Sequence, residues 1–284
     1  MSVRTVAYAS THGLLVPDEL VNQGPIVKFG DGLEIVQLDE ETQRLMYMTE
    51  TIRRISGFRW SEQHFAIRYE YTLPTTEEHH ELQREKANRN IDRLVQTLRI
   101  FKPGRFYIGG IIHKGDTPVF PSFSRPWPKN PFALYPLENV EEITRLVKFW
   151  SATSSRKVRE RPNLQFAMRW FADSGDAGPV EDRVIKLMTA AEALSGAGTQ
   201  HRKADRIAEV IGHLLSNVSD ALKDRVRDAY RLRNEILHTG HIGQWRLSNG
   251  QKLAPAELDD FVLAVEADIR AALRQEILDR AGNA

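Results

Sequence analysis

The chain has 284 residues, of which 41% are hydrophobic and 27% charged, a globular composition with enough apolar material for one large domain or two ordinary ones. Thirty-nine Lys and Arg against thirty-eight Asp and Glu leave a formal charge of +1, which excludes a bulk electrostatic grip on nucleic acid but leaves room for a local basic patch. The absence of cysteine excludes disulfides, thiolate zinc sites, iron–sulfur clusters and thiol nucleophiles.

No apolar run approaches the ~20 residues of a bilayer span, and Thr11 and His12 interrupt the N-terminal stretch too early for a signal peptide. The expected setting is the cytoplasm, with no membrane partner. Residues 26–38 read as a hairpin, because Gly30-Asp31-Gly32 supplies positions suited to positive φ. Phe65, Ile67, Tyr69, Tyr71 and Leu73 alternate with polar neighbours and predict a half-buried strand. Over 77–101 the period becomes helical: Ile91, Leu94, Val95 and Leu98 form a stripe that Lys102-Pro103-Gly104 stops. A further strand is expected over 106–112. His79-His80, at the start of the helix, would need more ligands to hold a metal.

Six prolines between Thr117 and Pro136 forbid regular helix or central strand there. This stretch reads as the connector between an α+β N-terminal domain, 1–136, with a sensing or regulatory role, and an all-α helical bundle, 137–284. In the second part, helices are expected over about 138–153, 163–172, 180–194, 202–215, 219–239 and 256–281. From Glu141 onward there are 22 basic and 21 acidic residues, and 17 of each before it, so neither part is basic overall. The segment 156–161, with four Arg or Lys, reads as a solvated loop or a contact to phosphates.

The most informative stretch is Ala229-Tyr230-Arg231-Leu232-Arg233-Asn234-Glu235-Ile236-Leu237-His238-Thr239-Gly240, at the end of a predicted helix with Gly240 as C-cap. On a wheel of ~100° per residue, Leu222, Val226, Ala229, Arg233 and Ile236 face the core, while Arg227, Arg231, Asn234 and His238 lie opposite. Arg233 and His238 are then about 140° apart. To meet one phosphate, the Arg233 side chain must curl around the helix or the last turn must unwind.

The pattern Arg233-Asn234-x-x-x-His238 resembles the Arg-x4–6-His signature of HEPN domains. Spacing alone does not select this pair, since Arg59/His64 and Arg206/His213 are similarly spaced; the adjacent Asn and the position at a helix end do. Tyr230 and the Leu-His-Thr-Gly ending are similar to the Apea-like branch of that superfamily, and Leu187–Leu194, with Glu192, resembles its glutamate-bearing helix. The resemblance spans about 140–282. Leu98–Gly104 is also similar, more weakly, to the domain that often precedes it.

The resemblance implies a homodimeric, metal-independent endoribonuclease, a toxin or antiviral-defence effector, that needs no cofactor. RNA supplies its own nucleophile, the 2′-OH. Its cleavage needs a base of near-neutral pKa, for which an imidazole such as His238 serves. It also needs positive charge on the phosphorane, from Arg233 with Arg231, and a polar orienting group, Asn234. Arg227, Tyr230, Glu192 and His241 are supporting candidates, His241 as a second imidazole. Five of these residues have a plainer alternative, that of Asn234 being to cap or hydrogen-bond His238. Arg233 braces Glu192, because a charge on a core-facing stripe needs a partner. His238 interacts with the helix dipole and the last carbonyls, and Arg227 and Arg231 form a solvated face. On that view the bundle is a non-catalytic module that binds RNA or a protein partner such as an antitoxin, or a device for oligomerisation.

Overall fold

The computed structural model describes residues 2–21, 24–51, 65–74, 79–104, 107–115, 135–196, 202–217, 219–240 and 245–282. In chain order they form β1 (Ser2–His12), β2 (Leu14–Leu15), α1 (Asp18–Val21), β3 (Val27–Gly30), β4 (Leu33–Gln37), α2 (Glu40–Thr51), β5 (Phe65–Pro74), α3 (His80–Phe101), β6 (Tyr107–Lys114) and β7 (Tyr135–Pro136). There follow α4 (Val140–Ser154), α5 (Arg156–Arg159), α6 (Pro162–Ser174), α7 (Val180–Ser195), α8 (Lys203–Leu214), α9 (Asp220–Thr239) and α10 (Pro255–Ala281). The chain divides into two units, 1–95 with 104–150, and 96–103 with 151–284.

The first unit is built on a five-stranded antiparallel sheet in the order β3-β4-β5-β1-β6. The expected hairpin is β3–β4, and Gly30, Asp31 and Gly32 all take positive φ (89°, 50° and 77°). A Cβ on Gly32 would also stand 2.8 Å from the Glu70 carbonyl oxygen, so this position needs glycine twice over. Register aligns Ile35, Ile67, Ala9 and Ile111 in a row across four strands, all of them buried. The opposite face is covered as well, by α2: Ala66 and Ile112 pack with Leu38 and Met46. Hence β5 is buried on both faces around Ala66 and not simply half-buried.

Two elements carry weak sequence signals. The inward residues of β1 are Thr5, Ala7 and Ala9, too small to mark an apolar face, and α2 opens with Glu40 and Glu41 and carries few apolar residues. The proline-rich connector lies outside the described residues except at its end, where β7 pairs in parallel with β2.

The second unit is helical; all six helices expected from the sequence form close to their expected limits, five of them in this unit and the first, α4, mostly in the other. The segment expected as a basic loop contains a helical turn, α5, capped by the Ser155 hydroxyl and anchored by buried Val158. A charged network ties the end of α3 into this unit. Arg99 donates to Asp176 through both guanidinium ends (2.6 and 2.9 Å) and to the Ala172 carbonyl (2.8 Å). Arg270 donates to the Arg99 carbonyl (3.2 Å), while Glu266 accepts from both Arg183 and Arg270. These buried charges are tolerable because each meets an opposite charge or a carbonyl. No described helix is long and apolar enough to cross a membrane.

Candidate functional site

Helix α9 begins at Ser219, whose hydroxyl accepts from the Leu222 amide, and ends at Gly240, whose φ of 78° closes the last turn. Its buried side, Leu222, Val226, Ala229, Leu232 and Ile236, packs against α7 and α8. Arg233 is half-buried at the margin of that stripe, and Asn234 likewise, while Arg227, Arg231 and His238 are exposed. The sequence placed Arg233 on the core stripe and Asn234 opposite; Leu222, Val226, Ala229 and Ile236 of that stripe are buried as expected, while Arg233 and Asn234 are each half-buried.

At this margin three helices converge on one carboxylate. Glu192, near the end of α7, has Oε2 3.6 Å from Arg233 Nη2 and Oε1 accepting from Lys203 Nζ at 2.7 Å, from the first residue of α8. Side-chain exposure is 20% for both Glu192 and Arg233, so the pair is partly shielded from water and retains more of its Coulomb attraction than a surface pair. The bond to Glu192 holds the Lys203 ammonium above its usual pKa. Arg233 Nη1 donates to Asn234 Oδ1 (3.0 Å), and its guanidinium carbon stands 5.6 Å from the centre of the Tyr230 ring. Its Nε is buried without a hydrogen-bond partner.

Arg233, Asn234, Tyr230 and Glu192 are thus brought together, as one cluster. His238 is not part of it. The imidazole is exposed in the last turn of α9 and has no hydrogen-bond or ion-pair partner among the described residues. His241 lies outside the described residues. Arg227 is bound by Asp205 of α8 (2.6 Å) and by Asp224 (3.3 Å), which hold it above the usual arginine pKa, the Asp205 hydrogen bond most. Arg231 donates to the carbonyl of Arg246 and lies 3.6 Å from Asp228.

Two residues here escaped the sequence reading. Lys203 contacts Glu192 from the helix that follows it in the chain, through the packing of α7 on α8, for which sequence offers no signal. Asp228 is buried in mid-helix, 5% exposed, and accepts from the amide (2.8 Å) and hydroxyl (3.2 Å) of Ser248. Its i,i+3 relation to Arg231 is the one cue the sequence held. Elsewhere, His80 is committed to the Pro74 carbonyl oxygen (2.7 Å).

Chemically, the end of α9 offers an exposed imidazole, unengaged by any described residue, and a separate guanidinium held by a carboxylate that a second cation already serves. In comparisons with known proteins, no family model, curated protein or solved structure matches the chain.

Proposed function

We propose that the chain is a metal-independent endoribonuclease of HEPN type, a toxin or defence effector that cuts RNA by attack of its own 2′-OH. The observation that carries this reading is the state of His238, exposed and without a partner among the described residues, at the end of the helix that also presents Arg233 and Asn234. In the reaction, the His238 imidazole takes the 2′-hydroxyl proton. The 2′ oxygen then bonds to phosphorus, the P–O5′ bond breaks, and the product is a 2′,3′-cyclic phosphate. The 5′ oxygen leaves with a proton from a second imidazole, supplied by another copy of the chain across a dimer axis, or by His241.

Arg233 serves the phosphorane by exchanging Glu192 for the phosphate. Lys203 remains on Glu192 throughout, so the carboxylate is not left uncompensated when Arg233 leaves. Incubating purified protein and His238→Ala with labelled RNA in EDTA tests the reading: cleavage by the parent and loss in the variant, at equal thermal stability, support it.

A second reading draws on the other half of the geometry. Both ends of the Arg233 guanidinium are occupied, and Arg227 and Arg231 are paired. On this reading the bundle is a non-catalytic module for RNA or a protein partner, and Arg233 is a brace. It predicts that the parent binds its target and cuts nothing.

A further inference from the structure

Residues 245–253 fold back on themselves after α9. Leu253 donates to the Trp245 carbonyl (2.7 Å), Leu247 to Gln251 (2.9 Å), and Arg246 and Lys252 face each other as an antiparallel bridge. At the tip the Asn249 side chain accepts from the Gln251 amide (2.9 Å), and Gly250 takes a φ of 87°. The ribbon is fastened to α9 at two points. Asp228 holds the Ser248 amide and hydroxyl, and Arg231 holds the Arg246 carbonyl. Arg231 lies on the exposed face of α9 that carries His238 about two turns further on, and Asp228 lies roughly 80° to one side of it, on the buried flank.

What this hairpin displays is unusual for its surroundings. Directly opposed residues of an antiparallel pair project to the same face, and like charges there repel. Arg246 and Lys252 are both exposed, and neither has an acidic partner among the described residues. The arginines of α9, by contrast, are all matched: Arg225 by Asp268, Arg227 by Asp205, Arg231 by Asp228 and Arg233 by Glu192. The arginine face of the helix therefore has little unspent positive charge to offer. The hairpin concentrates two cations at a spacing that an anion bridging them would turn from repulsive to attractive.

We propose that the 245–253 hairpin is the phosphate-binding arm of the site, with Arg246 and Lys252 gripping the sugar–phosphate backbone of the RNA while Asp228 and Arg231 hold the arm against α9. The proposal rests on the ribonuclease reading and names the part of the molecule that the substrate grips. Arg246 contributes a fork able to take two phosphate oxygens and Lys252 a point charge. Such contacts position the strand and read no bases, so the arm confers affinity without sequence preference.

The test uses a fluorescein-labelled single-stranded RNA of about twenty nucleotides and the full chain carrying His238→Ala, so that bound RNA stays intact. Adding Arg246→Gln and Lys252→Gln is expected to weaken binding about tenfold or more at 0.1 M salt and to flatten the log–log salt dependence by about 1.4, two contacts at ~0.7 each. The pair Arg246→Lys and Lys252→Arg, which keeps both charges, retains most of the affinity. Binding within twofold of the parent in the double Gln protein overturns the arm. Cleavage of the same RNA by the protein with His238 intact reports separately on the ribonuclease reading. Cutting with unaltered affinity defeats the arm alone. Affinity lost on neutralisation, with no cutting by the intact protein, defeats the ribonuclease alone, and neither binding nor cutting defeats both.

Discussion

The carboxylate of Glu192 on α7 is shared by Arg233 of α9 (3.6 Å) and Lys203 of α8 (2.7 Å), so one acid holds together the ends of three helices. Removing it strands a half-buried guanidinium. Glu192→Gln is expected to cost about 1–3 kcal/mol of unfolding free energy, measured by urea titration. Arg233→Met alone should cost less than Glu192→Gln, because Lys203 still neutralises the acid. The double variant should be less destabilised than the sum, a coupling that two independent surface residues would not show.

Asp228 buries a charge in mid-helix to hold Ser248. Asp228→Ala should destabilise by about 1–3 kcal/mol, since the Ser248 amide loses its acceptor and Arg231 its acid. The sharper readout is local. Hydrogen exchange at residues 246–252 should accelerate in this variant, with the buried positions of α7 much less affected.

Gly240 ends α9 with a left-handed φ of 78°, and a Cβ there would meet nothing within 4 Å. Gly240→Ala therefore tests conformation without a clash and should cost about 1 kcal/mol, read as a small fall in Tm. If His238 acts from a well-closed last turn, RNA cleavage should fall as well.

In the first unit, His113 on β6 is 3% exposed and its Nδ1 lies 2.8 Å from the Tyr71 hydroxyl. Burial, with Arg84 of α3 nearby, pushes its pKa from 6.5 down to about 4, and burial pushes the Tyr71 phenol up to about 12. The imidazole is thus held neutral in the folded state and takes its proton more readily when unfolded. Its contribution is fully present above pH 6.5 and is lost as the pH falls towards 4, at most about 3 kcal/mol in all. Urea titrations at pH 7.5, 6 and 5 should show this decline, and His113→Gln should flatten it; an equal decline in the variant would assign the effect to other groups.

Much of this was legible in the sequence, and for identifiable reasons. The β3–β4 turn is announced by Gly30 and Gly32, whose positive φ few residues tolerate, and α3 by a four-residue apolar stripe ended by Pro103. Strand β1 escaped because its inward side is Thr5, Ala7 and Ala9, which carry little hydrophobic contrast. At the site, the ion pair of Arg233 with Glu192 follows from placing a charge beside a buried stripe, and the structure has it. The roles of Lys203, which meets Glu192 only through the packing of α7 on α8, and of the hairpin clamped by Asp228 were invisible, because they depend on how separate segments meet. The wheel found the buried stripe of α9 at Leu222, Val226, Ala229 and Ile236, but it does not say how far a long side chain such as Arg233 reaches out of that stripe, and Arg233 is half-buried.

The central claim is that RNA is cut by its own 2′-hydroxyl with His238 as base, and the chemistry of the product ends tests it most directly. Digestion of an RNA strand in EDTA should yield fragments ending in 2′,3′-cyclic phosphate, with no cutting of the same strand made with 2′-deoxy sugars. Fragments bearing 3′-hydroxyl ends, or cleavage of the deoxy strand, would contradict it.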